Sequence, residues 1–172
     1  MTRVIALVGG RGDGFTRLAR ILTRALEHQG LRVETLLMPQ SNGGVGRKWV
    51  TAYRWGDADV IIATTDRCSQ ADAALVVSRF GAATHAPRAV YDASHPSFAG
   101  FEPPDGWLGL DCRQIARERR VPAMHGLILL GALCRRERLC PPDALKRALI
   151  EEEGRLGALA FRAVQAGWEA VD

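Results

Sequence analysis

No apolar run in this chain of 172 residues approaches the ~20 residues that a membrane span needs. The N-terminus also lacks the long apolar region of a secretory signal, because Gly9 interrupts it. The cytoplasm is therefore the expected compartment, with no membrane partner. Paired cysteines are missing as well. Cys68, Cys112, Cys134 and Cys140 form no C-x-x-C unit, so zinc ribbons and bacterial-type iron–sulfur runs have no ligands here. The thiols read as reduced and structural. Charge of one sign is not in large excess: 23 Lys and Arg stand against 19 Asp and Glu, a net +4. The arginines are scattered, which fits a solvated surface and no nucleic acid. His28, His85, His95 and His125 have no metal-like spacing. There is no nucleophile elbow, no obvious pair of carboxylates, no internal repeat and no low-complexity segment.

What the sequence does have is concentrated near its start. Val4 to Val8 is a short apolar run, as a strand buried on both faces would be. Gly9 to Gly14 then holds four glycines in six positions, a backbone free to take positive φ and to let a ligand approach closely. From Phe15, apolar residues recur at helical spacing through Leu18, Ala19, Leu22, Ala25 and Leu26 to Gln29, with Arg17, Arg20, Arg24 and Glu27 mostly off the stripe. Gly30 is a natural stop. Strand, glycine loop and helix make the opening half of a βαβ unit, with loop amides at a helix N-terminus.

The remainder continues the alternation. Strands are expected at Leu31 to Met38, Lys48 to Trp55, Ala58 to Thr64, Arg88 to Tyr91 and Trp107 to Leu110. A second glycine-rich loop, Pro39 to Gly46, follows the second strand. Asp66 or Ser69 could cap a helix carrying Ala71, Ala74, Leu75 and Val76 and ending near Gly81. Residues 92 to 106 read as loop. Further helices are expected at Arg113 to Arg119, at the almost wholly apolar Gly126 to Cys134, and after Pro141-Pro142 with Asp143 in the first turn. A last helix spans Glu151 to Trp168, with Glu151, Glu152 and Glu153 as its acidic first turn. The predicted class is α/β, a three-layer α/β/α arrangement with a mainly parallel sheet, as a single domain over 1–172.

Three constellations invite chemistry. The first loop is a poor dinucleotide fingerprint: Gly10-x-Gly12 begins one, but Phe15 occupies the third glycine position and no acidic residue closes the second strand. Asp13 would also occupy the positive field at the helix start that a phosphate would use. Gly12-Asp13-Gly14, followed after 27 residues by Asn42, resembles a thiamine diphosphate motif in which Asp and Asn hold Mg²⁺. Gly43 stands where that motif has its second asparagine, and a second domain would be needed to activate the cofactor. His125 introduces the apolar helix and is either a capping or core-edge residue satisfied by a hydrogen bond or part of a site.

Taken in order, these parts resemble the gamma subunit, or gamma domain, of 2-oxoacid:acceptor oxidoreductases, in particular the small subunit of indolepyruvate:ferredoxin oxidoreductase. Gly9 to Gly14 and Leu18-Ala19-Arg20-Ile21-Leu22 match the family's first loop and helix. Asn42-Gly43-Gly44 matches its Arg-Gly-Gly loop, and Ala58-Asp59-Val60 its "ADV" strand. His125 with Leu130-Gly131-Ala132-Leu133 matches its Asn and Leu-Gly-Ala helix, and Ala160-Phe161 with Gly167 its ending. The resemblance implies a subunit that carries neither thiamine diphosphate nor clusters and is inactive alone. Thiamine diphosphate, Mg²⁺ and iron–sulfur clusters would sit on a large catalytic partner. The complex would decarboxylate a 2-oxoacid, indolepyruvate-like substrates included, pass electrons to ferredoxin, and hand the acyl group to coenzyme A as cosubstrate. Gly9, Gly12, Asp13, Gly14, Asn42, Gly43, Gly44 and His125 are the implied cofactor-binding residues, with no catalytic residue and no metal ligand on this chain. Three polar positions depart from the family: Asp13 for Gln, Asn42 for Arg and His125 for Asn. Losing the Arg removes a fixed cationic fork for carboxylate or phosphate, so the substrate or coenzyme contact would differ. Trp49 and Trp55 flank the strand after the second loop and would meet the catalytic subunit, or a second copy of this chain when expressed alone. The alternatives are a stand-alone small-ligand or nucleotide-binding module, and a thiamine diphosphate protein using Asp13 and Asn42.

Overall fold

The computed structural model describes residues 1–10, 12–37, 58–64, 71–78 and 86–171. One six-stranded sheet runs through it: β1 (Arg3–Val8), β2 (Val33–Leu37), β3 (Val60–Thr64), β4 (Ala73–Val76), β5 (Ala89–Asp92) and β6 (Trp107–Leu110), in the order β2-β3-β1-β4-β5-β6. Every pairing is parallel, with Ile5 opposite both Ile62 and Ala73. β1 is central because its apolar run can be buried on both faces. Ile5 and Leu7 enter one core with the helices; Ala6 and Val8 enter a second core on the opposite face. The sheet is thus the middle layer of the expected α/β/α class.

Five helices are described: α1 (Phe15–Glu27), α2 (Cys112–Glu118), α3 (His125–Glu137), α4 (Pro142–Glu153) and α5 (Gly157–Glu169). All five contribute to the first core. The α1 stripe is as predicted from Phe15 to Leu26, with Ile21 added to it, whereas Gln29 lies exposed past the helix end; Gly30 ends the segment at φ +78°. Helix α3 is buried from Leu127 to Cys134. Its crossing with α5 is close enough that a Cβ on Gly131 would lie 1.9 Å from the Val164 carbonyl oxygen, and one on Gly167 1.7 Å from that of Ile128. The second core holds an aromatic group, Tyr91, Phe98, Phe101 and Trp107, part of it supplied by a 3₁₀ turn at Pro96–Phe98 inside the predicted loop.

Two expectations are corrected. Ala73 to Val76 is strand β4, not helix; its slot between β1 and β5 decides, and four apolar residues in a row carry no period of their own. The last helix does not begin at Glu151. Residues 151 to 153 are the final turn of α4, a 3₁₀ turn follows at Gly154–Leu156, and α5 starts at Gly157. Gly154 at φ +56° ends α4. The three glutamates instead face α1: Arg17 pairs with Glu153, Arg20 and Arg24 with Glu152, and His28 with Glu151. The predicted strand at Lys48 to Trp55, the loop holding Asn42, Gly43 and Gly44, and Trp49, Trp55, Cys68 and His85 lie outside the described residues. Cys112, Cys134 and Cys140 are free and buried. Among the described residues no helix is long and apolar enough to cross a membrane.

Candidate functional site

Because all strands are parallel, Val8, Thr64, Val76, Asp92 and Leu110 end at one edge. The strand order reverses between β1 and β4, and in such sheets ligands bind beyond the C-terminal ends, at that reversal. The first glycine loop and Val77-Ser78 leave the sheet there.

The loop is held by its own carboxylate. Gly10 N–H donates to Asp13 Oδ2 at 2.5 Å, and the Ser78 hydroxyl donates to the same oxygen. Gly10 N–H also lies 3.1 Å from Ser78 Oγ. Asp13 therefore ties the loop after β1 to the loop after β4. The fold back is tight: a Cβ on Gly9 would lie 2.6 Å from Asp13 Oδ2. Gly12 and Gly14 take φ +95° and +72°, where an L side chain is strained. Gly14 is the N-cap of α1, and no side chain caps that end. Asp13, next to that N-cap, makes no capping hydrogen bond to α1; its carboxylate is bound inside the loop.

A second polar group sits at the same edge, at the end of β5. Asp92 is fully buried. Its Oδ1 accepts from Ser94 N–H at 3.0 Å and from the Ser94 hydroxyl. Its Oδ2 lies 2.7 Å from His125 Nδ1. Burial pushes the Cys112 thiol well above its usual range, and the Asp92 charge and hydrogen bond push the same way. Ser94 Oγ in turn accepts from Arg113 N–H at 3.3 Å, and Asp111 Oδ1 caps α2 by accepting from Gln114 N–H at 2.8 Å. His125 is the first residue of α3. A Cβ on the next residue, Gly126, would lie 2.9 Å from Leu18 Cδ1, so the start of α3 packs against the first turns of α1.

The structure thus gathers Gly9, Gly12, Asp13, Gly14 and His125 at one edge. Asn42, Gly43 and Gly44 lie outside the described residues. The sequence reading missed Asp92, Ser94 and Ser78. Asp92 ends an apolar run, Ala89-Val90-Tyr91, and a carboxylate closing a buried parallel strand is the signal that could have found it. Among the described residues no group of three or more His, Cys, Asp or Glu could hold a metal. A cleft of about 610 Å³ lies elsewhere, lined by Arg135, Arg136, Arg138 and Trp168 among others; it contains none of the predicted residues.

No protein-family model matches the sequence, and no curated protein matches it. Solved structures do. The gamma subunit of a keto/oxoacid ferredoxin oxidoreductase from Geobacter sulfurreducens PCA superposes with a TM-score of 0.61 at 15% identity, over 96% of this chain and 95% of that one. Pyruvate oxidoreductase subunit PORC from Thermotoga maritima gives 0.58 at 16% identity, over 96% and 94%. At these identities the likeness is one of fold. Both neighbours come from the kind of oxidoreductase that the sequence motifs resemble.

Proposed function

We propose that residues 1–172 form one gamma-type unit, an accessory subunit of a thiamine diphosphate-dependent 2-oxoacid:ferredoxin oxidoreductase. The observation that carries this is the end-to-end likeness in fold to an oxidoreductase gamma subunit, joined to the order of motifs along the sequence. The catalytic partner would hold thiamine diphosphate, Mg²⁺ and the iron–sulfur clusters, which supply decarboxylation and electron transfer when bound. The substrate would be a 2-oxoacid, in the indolepyruvate class, and coenzyme A the acyl acceptor.

This chain's own share is to close a pocket. Gly9, Gly10, Gly12 and Gly14 present backbone rather than side chains at the sheet edge, and Asp13 and Ser78 tie that backbone down. The described loop can wall one side of a ligand only, whereas small-molecule sites enclose ~70–90% of theirs. The second loop, Asn42-Gly43-Gly44, follows β2, and we assign it with Trp49 and Trp55 to the partner contact. The thiamine diphosphate reading through Asp13 and Asn42 is disfavoured. Asp13 Oδ2 already accepts from Gly10 N–H and the Ser78 hydroxyl, and Mg²⁺ demands near-octahedral oxygen geometry.

The test is co-expression with the product of the neighbouring reading frame, followed by affinity capture. The expected result is a stable complex that carries thiamine diphosphate and iron–sulfur absorbance and reduces ferredoxin with a 2-oxoacid, while the chain alone is colourless and inactive. A chain that captures no such subunit, or that is active alone, overturns the reading.

A further inference from the structure

We propose that His125 exchanges a proton with an acidic O–H, N–H or S–H group of the ligand bound at the C-terminal edge, and that Asp92 is its positioning residue. The inference rests on reading that edge as the site. A carboxylate removed from water is costly unless it is paired and hydrogen-bonded. Ser94 N–H and the Ser94 hydroxyl satisfy one oxygen of Asp92, leaving the other for His125 Nδ1 at 2.7 Å. An ionised carboxylate only accepts, so Nδ1 carries the hydrogen. The neutral ring then has its lone pair on Nε2, as in other carboxylate–histidine pairs, where the partner of one nitrogen decides the state of the other.

The ring bridges interior and surface. Asp92 is 0% exposed and the His125 side chain 26%. Nε2 has no partner among the described residues. Cys112, at the start of α2, hydrogen-bonds Asp92, and Asp111 beside it acts on the same thiol; on the α1 side, Gly126, next to His125, meets the apolar Leu18. In the step, the X–H bond of the ligand breaks and its electron pair stays on X. The Nε2–H bond forms, and the imidazolium charge faces the Asp92 carboxylate. The reverse step returns the proton. A purely structural Asp–His link, tying α3 to β5, would need neither a fixed tautomer nor a reachable Nε2.

Two readouts on the full chain decide this without any partner. Nitrogen-15 spectra of the imidazoles should show His125 as the Nδ1–H tautomer when neutral; an Nε2–H tautomer overturns the proposal. Diethyl pyrocarbonate should acylate Nε2 of His125. Asp92→Asn, checked for folding by circular dichroism, should slow that by at least about 10-fold, because an asparagine amide can donate to Nδ1 and put the hydrogen on Nε2, the wrong tautomer. An unchanged rate in folded Asp92→Asn overturns the proposal. If that variant does not fold, the wild-type tautomer stands as the deciding measurement. In the captured complex, His125→Gln should lower kcat by ~10²–10⁴ with KM little changed; full turnover overturns the proton-transfer role. Absence of any complex counts against the function proposed above, and the two readouts on the chain still decide the state of His125.

Discussion

At the scale of single residues, three carboxylates do different work. Asp13 closes the first loop, so Asp13→Ala should cost about 1–3 kcal/mol, the usual range when a partly buried polar group loses its partner. Urea unfolding would read it, and an unchanged midpoint would show the loop to be held otherwise. Glu137 is a buried carboxylate gripped by Arg3 and by Arg88 at 3.2 Å, with Arg3 Nη1 also donating to its carbonyl at 2.8 Å. Breaking a buried pair costs ~3–5 kcal/mol, and the partly exposed arginines place Glu137→Ala toward the lower end of that range. Asp59 is on the surface. The Arg32 backbone N–H at 2.8 Å, and then its guanidinium, hold the Asp59 carboxyl below its ordinary value of 3.8. A depressed folded pKa contributes stability above the unfolded value and loses it as pH falls through the folded one. Asp59→Asn should therefore lower stability slightly in the neutral range, where the ionised carboxylate contributes, and flatten part of the acid limb below about pH 4, where the parent has already lost that contribution. The buried thiols have the opposite sign. Cys112 is raised by burial first, and Cys134 chiefly by its hydrogen bond with Cys140. Each stays neutral in the folded chain while the unfolded thiol ionises, so stability should fall as pH rises past ~8.5. Cys112→Ala should flatten that alkaline limb.

At the scale of elements, the tightest joint is the α3–α5 crossing. Gly131 and Gly167 let two backbones meet where no side chain fits, each against a carbonyl oxygen of the other helix. Gly131→Ala or Gly167→Ala should cost at least ~1–3 kcal/mol by overpacking, although alanine favours an isolated helix. A thermal scan showing either variant as stable as the parent would mean that the helices do not cross this closely. Periodicity made α1 and α3 legible, because the apolar stripe of one and the apolar length of the other are visible in order along the chain. It could not reveal β4. Ala73 to Val76 is too short for a period, its alanines favour helix, and only the neighbours β1 and β5 make it a strand. The glutamates at 151 to 153 misled for a similar reason. An acidic triplet suits a helix start, but here the arginines of α1 hold it at a helix end. Of the site, the glycine loop and His125 were readable because glycine clusters and lone histidines stand out. Asp92 and Ser78 were not, since their importance comes from residues 33 and 65 positions away.

At the scale of the whole molecule, the strand order ranks the local stabilities. β1 has paired neighbours on both sides and cores on both faces, and Ile5, Ala6 and Leu7 are fully buried between them. β6 is an edge strand whose Gly109 is pressed against the Tyr91 ring. Opening β6 need break only its pairing with β5, whereas opening β1 requires both halves of the sheet to separate. Amide exchange reports such differences, from nearly free opening at frayed edges to the global unfolding energy in the core. The amides of Ile5, Leu7, Ile62 and Leu75 should therefore exchange only on global unfolding, together with those of Leu129 to Leu133 in α3. Those of β6 should exchange through smaller openings. The distinction matters for the site, because Asp92 lies on β5, between the core and that edge. Its hydrogen bonds to Ser94 and His125 should hold the end of β5 against the fraying of β6. Hydrogen exchange on His125→Ala is the check: faster exchange at Tyr91 and Asp92 with β1 unchanged is expected, and uniform acceleration across the sheet would mean that the pair supports the whole fold rather than the edge.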